Sequence, residues 1–540
     1  MARRNDLATT DKVPEPMIYW HFELNAPGMS ALHRAGLAGL AASLKKLKEK
    51  GNLQPEWEFE LRDSELLLPN LGTDVESLMK LLQTIYALDD EGLVDFPILA
   101  DSSQMLKAHV QQVLLGTFLQ HPQSRKAEKQ SRVFTLHIDD QPTEIQYLPL
   151  KDFQHRSGKN AEKISKAISK NQMIEVAGWA FPGGMVRHNA HKETALAETP
   201  KRYFLLLCAP LGCLYFHGRA FLSNGDFDPK SQYVLAIPRP ISLKKHVRRL
   251  LRFYANYDDA MRKWLYVAGE CDATLLSATM ILLAETAFQL NIDLQALHPG
   301  EANFQVMRFG QVGWSRQQKT RTGGISTFQI KPSMIRQYYV IHKKLSRKKQ
   351  TEDGETFIDV MPMKNLMAEN ILWGRPWYRG FGDFLSQPRG KKVQYWRKEL
   401  NEVVQEIEWA DEAKRQFIDY IQTAVRNRFG QVKEKAEKSG ADVKSMLSRE
   451  YERMVLAFSK CRTKESFREE LVRFLATTRP NISQLKPEEK VDLVYKMAIQ
   501  TDWKETRDLC LLAIATYTSR SGELDPDVPD SLEDGQFNID

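Results

Sequence analysis

From Met17 the segment MIYWHFEL alternates apolar and polar residues, which predicts a half-buried strand, and Pro27-Gly28 ends it. Ser30 opens a run to Lys50 in which Leu37, Leu40, Leu44 and Leu47 recur at helical spacing, with Gly51 as its stop. Gly36 and Gly39 lie inside this helix. Each costs about 1 kcal/mol against Ala and is tolerable if another backbone packs close there. Residues 133–138, 202–208 and 233–237 read as strands, and the apolar stretch 203–212 as a buried one. Residues 241–268 and 272–290 read as helices, and 301–350 as short strands mixed with basic loops. Four Gly and two Pro then crowd into 374–392. Past 395 the strand pattern stops. Val403, Ile407, Ala410, Phe417, Ile421 and Ala424 form one helical stripe, ended by Gly430. Val443, Leu447, Tyr451, Met454 and Phe458 form the next; Phe467, Leu471 and Phe474 a third, ended by Pro480; two more lie at 487–499 and 503–518. Five short amphipathic helices make a bundle. The pattern predicts an α+β fold with a flexible 1–15, a mixed body over 16–385, a linker at 386–394, a helical bundle over 395–520 and a disordered tail at 521–540.

Composition narrows the classes. The 540 residues are 42% hydrophobic and 27% charged, ordinary for a soluble globular chain with more than one core. No secretory pattern follows Arg3 and Arg4, and no run of 18 apolar residues occurs, so neither export nor a membrane is expected. Cys208, Cys213, Cys271, Cys461 and Cys510 are scattered without a CxxC pair, which fits a reducing cytoplasm and no zinc ribbon. The net charge of +7 understates the body. Glu523, Asp525, Asp527, Asp530, Glu533, Asp534 and Asp540 sit in a tail without Lys or Arg, so the rest is more basic still. A basic body favours polyanionic partners, because neutralised phosphates release counterions.

No catalytic pattern emerges. Ser157-Gly158-Lys159-Asn160 lacks the first glycine and the hydroxyl of a phosphate-binding loop, and no GxSxG elbow occurs. His137-Ile138-Asp139-Asp140 reads as a strand entering a turn. His188 and His191 could share a metal, but neighbouring glycines argue for a loop and no third ligand falls at spacing, so neither a metal nor a cofactor is expected. Basic and aromatic residues do interleave in four stretches, as single-stranded nucleic acid requires: cations track phosphates, exposed rings stack on bases, and glycines let backbone N–H groups approach. The first, from Trp179, offers Arg187, His188, His191 and Lys192. The second offers Arg308, Trp314, Arg316, Lys319 and Arg321. The third joins Tyr338 and Tyr339 to His342, Lys343, Lys344, Arg347, Lys348 and Lys349. The fourth joins Trp373, Trp377 and Tyr378 to Arg375, Arg379, Arg389, Lys391 and Lys392. The bland alternatives are a solvated loop or helix face for 343–349 and core packing for each Trp.

The block NAPGMSALHRAGLAGLAASL resembles the N-terminal signature of CRISPR-associated large subunits of the MYXAN branch, near subtype I-B: a strand, Pro-Gly, then a helix carrying His-Arg-Ala-Gly-Leu-x-Gly-Leu. WAFPGGMVRHNA at 179–190 and RFGQVGWSRQQKTRTGG at 308–324 also resemble blocks of that branch. The resemblance implies a non-catalytic large subunit of a type I surveillance complex (Cascade), in the bacterial cytoplasm. Such a subunit binds the 5′ handle of the guide RNA (crRNA) and reads the protospacer-adjacent motif on target double-stranded DNA, while base pairing reads sequence. The implied partners are the backbone, handle-capping and small subunits, with a recruited helicase-nuclease for interference or an adaptor protein for RNA-guided transposition. Whether the bundle is also made alone, from Met361, Met363, Met367 or a codon near Val403, stays open. The rival readings are a single-stranded RNA-binding scaffold outside CRISPR and a nuclease with an unrecognised site.

Overall fold

In a computed structural model, residues 19–69, 74–138, 141–183, 196–218, 232–264, 303–310, 321–350, 356–360, 363–385, 396–481 and 486–518 are described. They form two compact units, the first drawn from 1–217, 232–261 and 300–329, the second chiefly from 330–540.

The first unit mixes helices and antiparallel sheets. Its helices are α1 (Ala31–Glu49), α2 (Val75–Ile85), α3 (Gln104–Gly116), α4 (Gly158–Ser169), α5 (Pro200–Gly212) and α6 (Leu243–Trp264). Its strands are β1 (Tyr19–Glu23), β2 (Glu60–Leu61), β3 (Glu65–Pro69), β4 (Arg125–Ala127), β5 (Arg132–Ile138), β6 (Gln141–Tyr147), β7 (Leu150–Phe153), β8 (Ile174–Glu175), β9 (Ala197–Glu198), β10 (Leu214–Gly218), β11 (Gln232–Pro238), β12 (Asn303–Gly310) and β13 (Arg321–Gln329). One sheet has the order β1-β3-β2, another runs β10-β11-β12-β13, and β4–β7, β5–β6 and β8–β9 pair off.

The centre of this unit is the crossing of α1 with α5. A Cβ added at Gly36 would stand 1.9 Å from the Leu205 carbonyl oxygen, and one at Gly39 would stand 2.4 Å from the Gly212 nitrogen. On the facing helix, a Cβ at Gly212 would stand 1.8 Å from the Ala35 carbonyl oxygen. The two backbones therefore touch, and only glycine fits. Trp20 and Phe22 of β1 pack on Phe204 of α5, with ring centroids 5.4 and 6.2 Å away. The expected strand at 202–208 is thus corrected to a helix. Its apolar face goes all the way round because Tyr203 to Gly212 are buried on every side, so periodicity gives no helical signal. The start signal was in the sequence: Thr199 caps the helix, accepting from the Arg202 N–H, and Pro200 occupies its first turn.

The second unit is mostly helical. It holds α7 (Pro332–Lys344), the hairpin β14 (Ser346–Gln350) and β15 (Thr356–Val360), α8 (Met363–Leu372), α9 (Phe381–Leu385), α10 (Arg397–Glu406), α11 (Glu412–Ser439), α12 (Val443–Ser459), α13 (Lys464–Thr478), α14 (Pro487–Tyr495), a π-helical turn (Lys496–Gln500) and α15 (Trp503–Thr516). Residues Thr506 to Thr516 of α15 are all buried, and α9 to α13 pack around it. The first expected stripe is two helices, not one. Ile407 leaves α10 with an extended backbone, and the Asp411 carboxylate caps α11 by accepting from the Ala413 N–H. Gly430 does not end α11 either; it is exposed, and the helix runs on to Gly440, whose φ of 66° makes the left-handed stop.

Candidate nucleic-acid interface

Many of the expected binding residues lie outside the described residues: Arg187, His188, His191, Lys192, Trp314, Arg316, Lys319, Lys391 and Lys392. The backbones of Arg308 and Arg321 lie on β12 and β13, where Arg308 pairs with Val234 of β11 and Arg321 with Gly310. Arg347, Lys348 and Lys349 occupy β14, opposite Asp359, Ile358 and Phe357 of β15, so this basic run is a strand instead of a loop or helix face.

The third stretch divides by side. Tyr338 and His342 of α7 face the core, where the Lys364 ammonium reaches the His342 ring and stands 5.8 Å from the Tyr338 ring centroid. Burial holds Lys364 well below the usual lysine range, and it holds His342 well below that of histidine, so neither is a surface cation. Lys344 bonds Glu402 at 2.8 Å and Glu406 at 2.5 Å, which raise its pKa. Two carboxylates of α10 thus take the charge expected to meet phosphate. Lys343 is exposed. In the fourth stretch Trp377 and Tyr378 are buried against Trp409, with centroids 5.5 and 5.6 Å away, while Trp373, Arg375 and Arg379 are exposed.

A cationic face went unnoticed in the sequence. On α6, Lys244, Arg248 and Arg252 recur every fourth residue and are exposed, as is Lys245, while Leu243, Val247, Leu250, Phe253 and Tyr254 are buried. The signal was the four-residue spacing of the cations against that apolar stripe. His246 on this helix is held neutral, at about 3, by burial and by Arg249. Arg34 of α1 lies close enough to Arg239 for the like charge, after burial, to lower its pKa, and its Nε has no hydrogen-bond partner among the described residues.

Other chemistry finds little to work with. Among the described residues no group of three His, Cys, Asp or Glu side chains converges, and no helix is long and apolar enough to cross a membrane. Cys208 and Cys213 are buried, which pushes their thiols up, away from the reactive thiolate.

Residues 21–207 match the DevT N-terminal domain and residues 405–537 the DevT C-terminal domain, together more than half of the chain. The chain carries both DevT domains. It is also 24% identical to the CRISPR-associated protein Cas8a1/Csx13 of Myxococcus xanthus (strain DK1622), over 95% of this chain and 90% of that protein. The resemblance to the large subunits of type I CRISPR complexes therefore extends over almost the whole length. The DevT N-terminal match takes in α1 with Arg34 and the first part of α5, to residue 207, and the DevT C-terminal match takes in α11 to α15. The cations of α6, and Trp373 with its arginines, lie between the two.

Proposed function

We propose that the chain is the non-catalytic large subunit of a type I CRISPR surveillance complex, where it holds the 5′ handle of the guide RNA and reads the protospacer-adjacent motif of target DNA. The observation that carries this is the exposed cationic face of α6, in the same compact unit as Arg34 and Arg239. Exposed cations at four-residue spacing follow a phosphate backbone, which fixes register without reading sequence. Motif reading needs in addition a few side chains at base edges. Arg308, Arg321 and the residues between them are the ones proposed for that role, because arginine makes the commonest bidentate contact with guanine.

The test is reconstitution with the partner subunits and guide RNA, followed by target binding across a salt series. Lys244→Ala, Arg248→Ala and Arg252→Ala together should flatten the slope of log affinity against log salt by roughly 0.7–0.9 for each phosphate that is no longer neutralised. A wild-type complex that forms and retains no guide RNA, or a triple variant with an unchanged slope for both guide and target, would refute the reading. Cleavage of nucleic acid by the purified chain with a divalent metal would favour the nuclease alternative.

A further inference from the structure

The seven residues Trp373-Gly374-Arg375-Pro376-Trp377-Tyr378-Arg379 form a turn between α8 and α9 whose side chains part in two directions. Trp377 and Tyr378 go inward, at 3% and 2% exposure, while Trp373 stands out at 56% and Arg375 and Arg379 are exposed beside it in the turn. We propose that Trp373, Arg375 and Arg379 form a stacking site for an unpaired nucleotide of a single strand, with the ring taking a base and the guanidinium groups taking the flanking phosphates. The proposal deepens the function above and rests on it.

Rigidity is the first argument. The buried Asn370 side chain donates to the carbonyls of Trp377, at 3.2 Å, and Arg379, at 2.7 Å, while the main-chain carbonyl of Asn370 accepts from the Arg375 N–H at 2.8 Å. Gly374 and Gly380 bracket the turn at φ 66° and 81°, a conformation other residues resist. Beyond it, the Gly380 and Gly382 N–H groups donate to the two Asp508 oxygens at 2.7 and 2.9 Å, and the Tyr378 hydroxyl donates to Glu505 at 2.7 Å. The outward side chains therefore stand on a fixed base, which lowers the ordering cost of binding.

Chemistry is the second argument. An indole exposed at 56% leaves ring surface on which a base can stack, and stacking needs a base freed from its pair. Two arginines within six residues of it add charge for phosphate and a further surface for stacking. The acids near the turn are Glu369, one turn back on α8 and half-buried, Glu505 and Asp508, which accept from the Tyr378 hydroxyl and from the Gly380 and Gly382 N–H groups on its inner side, and Asp383, whose carboxylate is held by Arg507 at 2.7 Å.

The experiment is binding of the full chain to labelled dT15, rU15 and a 15-base-pair duplex. Trp373→Ala should weaken single-strand binding by about 5- to 100-fold and leave the duplex within about twofold. Trp373→Phe should restore binding to within about threefold of wild type, and Trp373→Leu should not, because a planar ring is what stacks. Arg375→Ala with Arg379→Ala should flatten the single-strand salt slope by roughly 0.7 for each phosphate that is no longer neutralised. Since all three side chains are exposed, unchanged melting curves are expected and confirm that the variants are folded. The dT15 and rU15 arms tell DNA from RNA. Single-strand affinity of Trp373→Ala within twofold of wild type, equal losses on duplex, or rescue by Leu as good as by Phe would overturn the proposal, the last pointing to an apolar protein contact. These outcomes leave guide retention by the wild-type complex untouched, so the two proposals fail separately.

Discussion

The α1–α5 crossing makes the sharpest stability prediction. Gly36→Ala would drive a methyl group to 1.9 Å from the Leu205 carbonyl oxygen and 2.9 Å from its carbon. An ordinary carbon–oxygen contact is about 3.3 Å or longer, so the helices must part by more than about 1 Å. Both colliding groups are main chain, so no side chain can swing aside. Overpacking of this kind costs about 1–3 kcal/mol, and a backbone clash belongs at the upper end. Replacing a mid-helix glycine by alanine returns about 1 kcal/mol of helix propensity. The net loss is about 2 kcal/mol, or about 4–8 °C in the melting of a unit of this size. Gly430 supplies the control. It is also mid-helix, in α11, but nothing lies within 4 Å of its added Cβ, so Gly430→Ala should stabilise by up to about 1 kcal/mol. Gly212→Ala opens the same gap from the other side, and its combination with Gly36→Ala should be less than additive. Calorimetry and urea titration of the full chain read all of these. A melting point for Gly36→Ala at or above wild type, or a fall for Gly430→Ala as large as that for Gly36→Ala, would refute the reasoning.

Three further outcomes are expected. His155 is fully buried among Tyr86, Phe118, Phe153 and Trp179, neither ring nitrogen has a hydrogen-bond partner among the described residues, and burial lowers its pKa to about 3. The unfolded chain takes that proton near pH 6.5 and the folded chain does not, so stability falls as pH drops through 6.5. His155→Phe should therefore lose about 2 kcal/mol less than wild type between pH 7.5 and pH 5 in urea titrations, and parallel losses would count against it. Lys344→Ala should leave the salt slope of nucleic-acid binding unchanged and lower stability by less than about 1 kcal/mol, since its charge already rests on Glu402 and Glu406; a flatter slope would return Lys344 to the interface. Fragments beginning at 330, 361 and 403 should melt in descending order by circular dichroism, because the second start drops α7 and the third also drops the bonds from 378–383 to Glu505, Arg507 and Asp508; a 403–540 fragment as stable as 330–540 would contradict this.

Elements with one polar face were legible in the sequence. β1 and the helices α12 and α13 follow their apolar stripes because one side of each meets solvent; α1 is buried from Ala35 to Leu44 and was legible instead from the helical spacing of its leucines among smaller residues. α5 was misread because a helix buried on all sides leaves no period to find, and its cap at Thr199-Pro200 was the better signal. The break between α10 and α11 hid because Ile407 and Ala410 keep the apolar spacing while Asp411 restarts the helix. For binding residues the limit was different. Sequence spacing sees cations but not the carboxylates that reach them from elsewhere, which is how Lys344 looked available. It also cannot tell which ring of Trp373, Trp377 and Tyr378 stays outside, since all three sit within six residues and only packing against Trp409 separates them.

The His-Arg-Ala-Gly-Leu-x-Gly-Leu block shows why a family signature and a binding site need separate arguments. His33 Nδ1 accepts from the Ser30 N–H at 3.2 Å, closing the cap of α1, and its Nε2 faces Glu198 at 3.4 Å. Burial, then Arg202, lowers its pKa to about 4, so it works as a neutral cap. Glu198 is held in turn by Arg202 of α5 at 2.8 Å. Gly36 and Gly39 admit the α5 backbone, and Leu37 and Leu40 fill the core. Those five residues are consumed by holding α1 against α5 and the core. Arg34 is different. Its Nε has no partner among the described residues, and Arg239 lies close enough for its like charge, after burial, to lower the Arg34 pKa. The signature thus specifies the crossing of α1 with α5, and Arg34 is the residue in it that lies within electrostatic reach of Arg239.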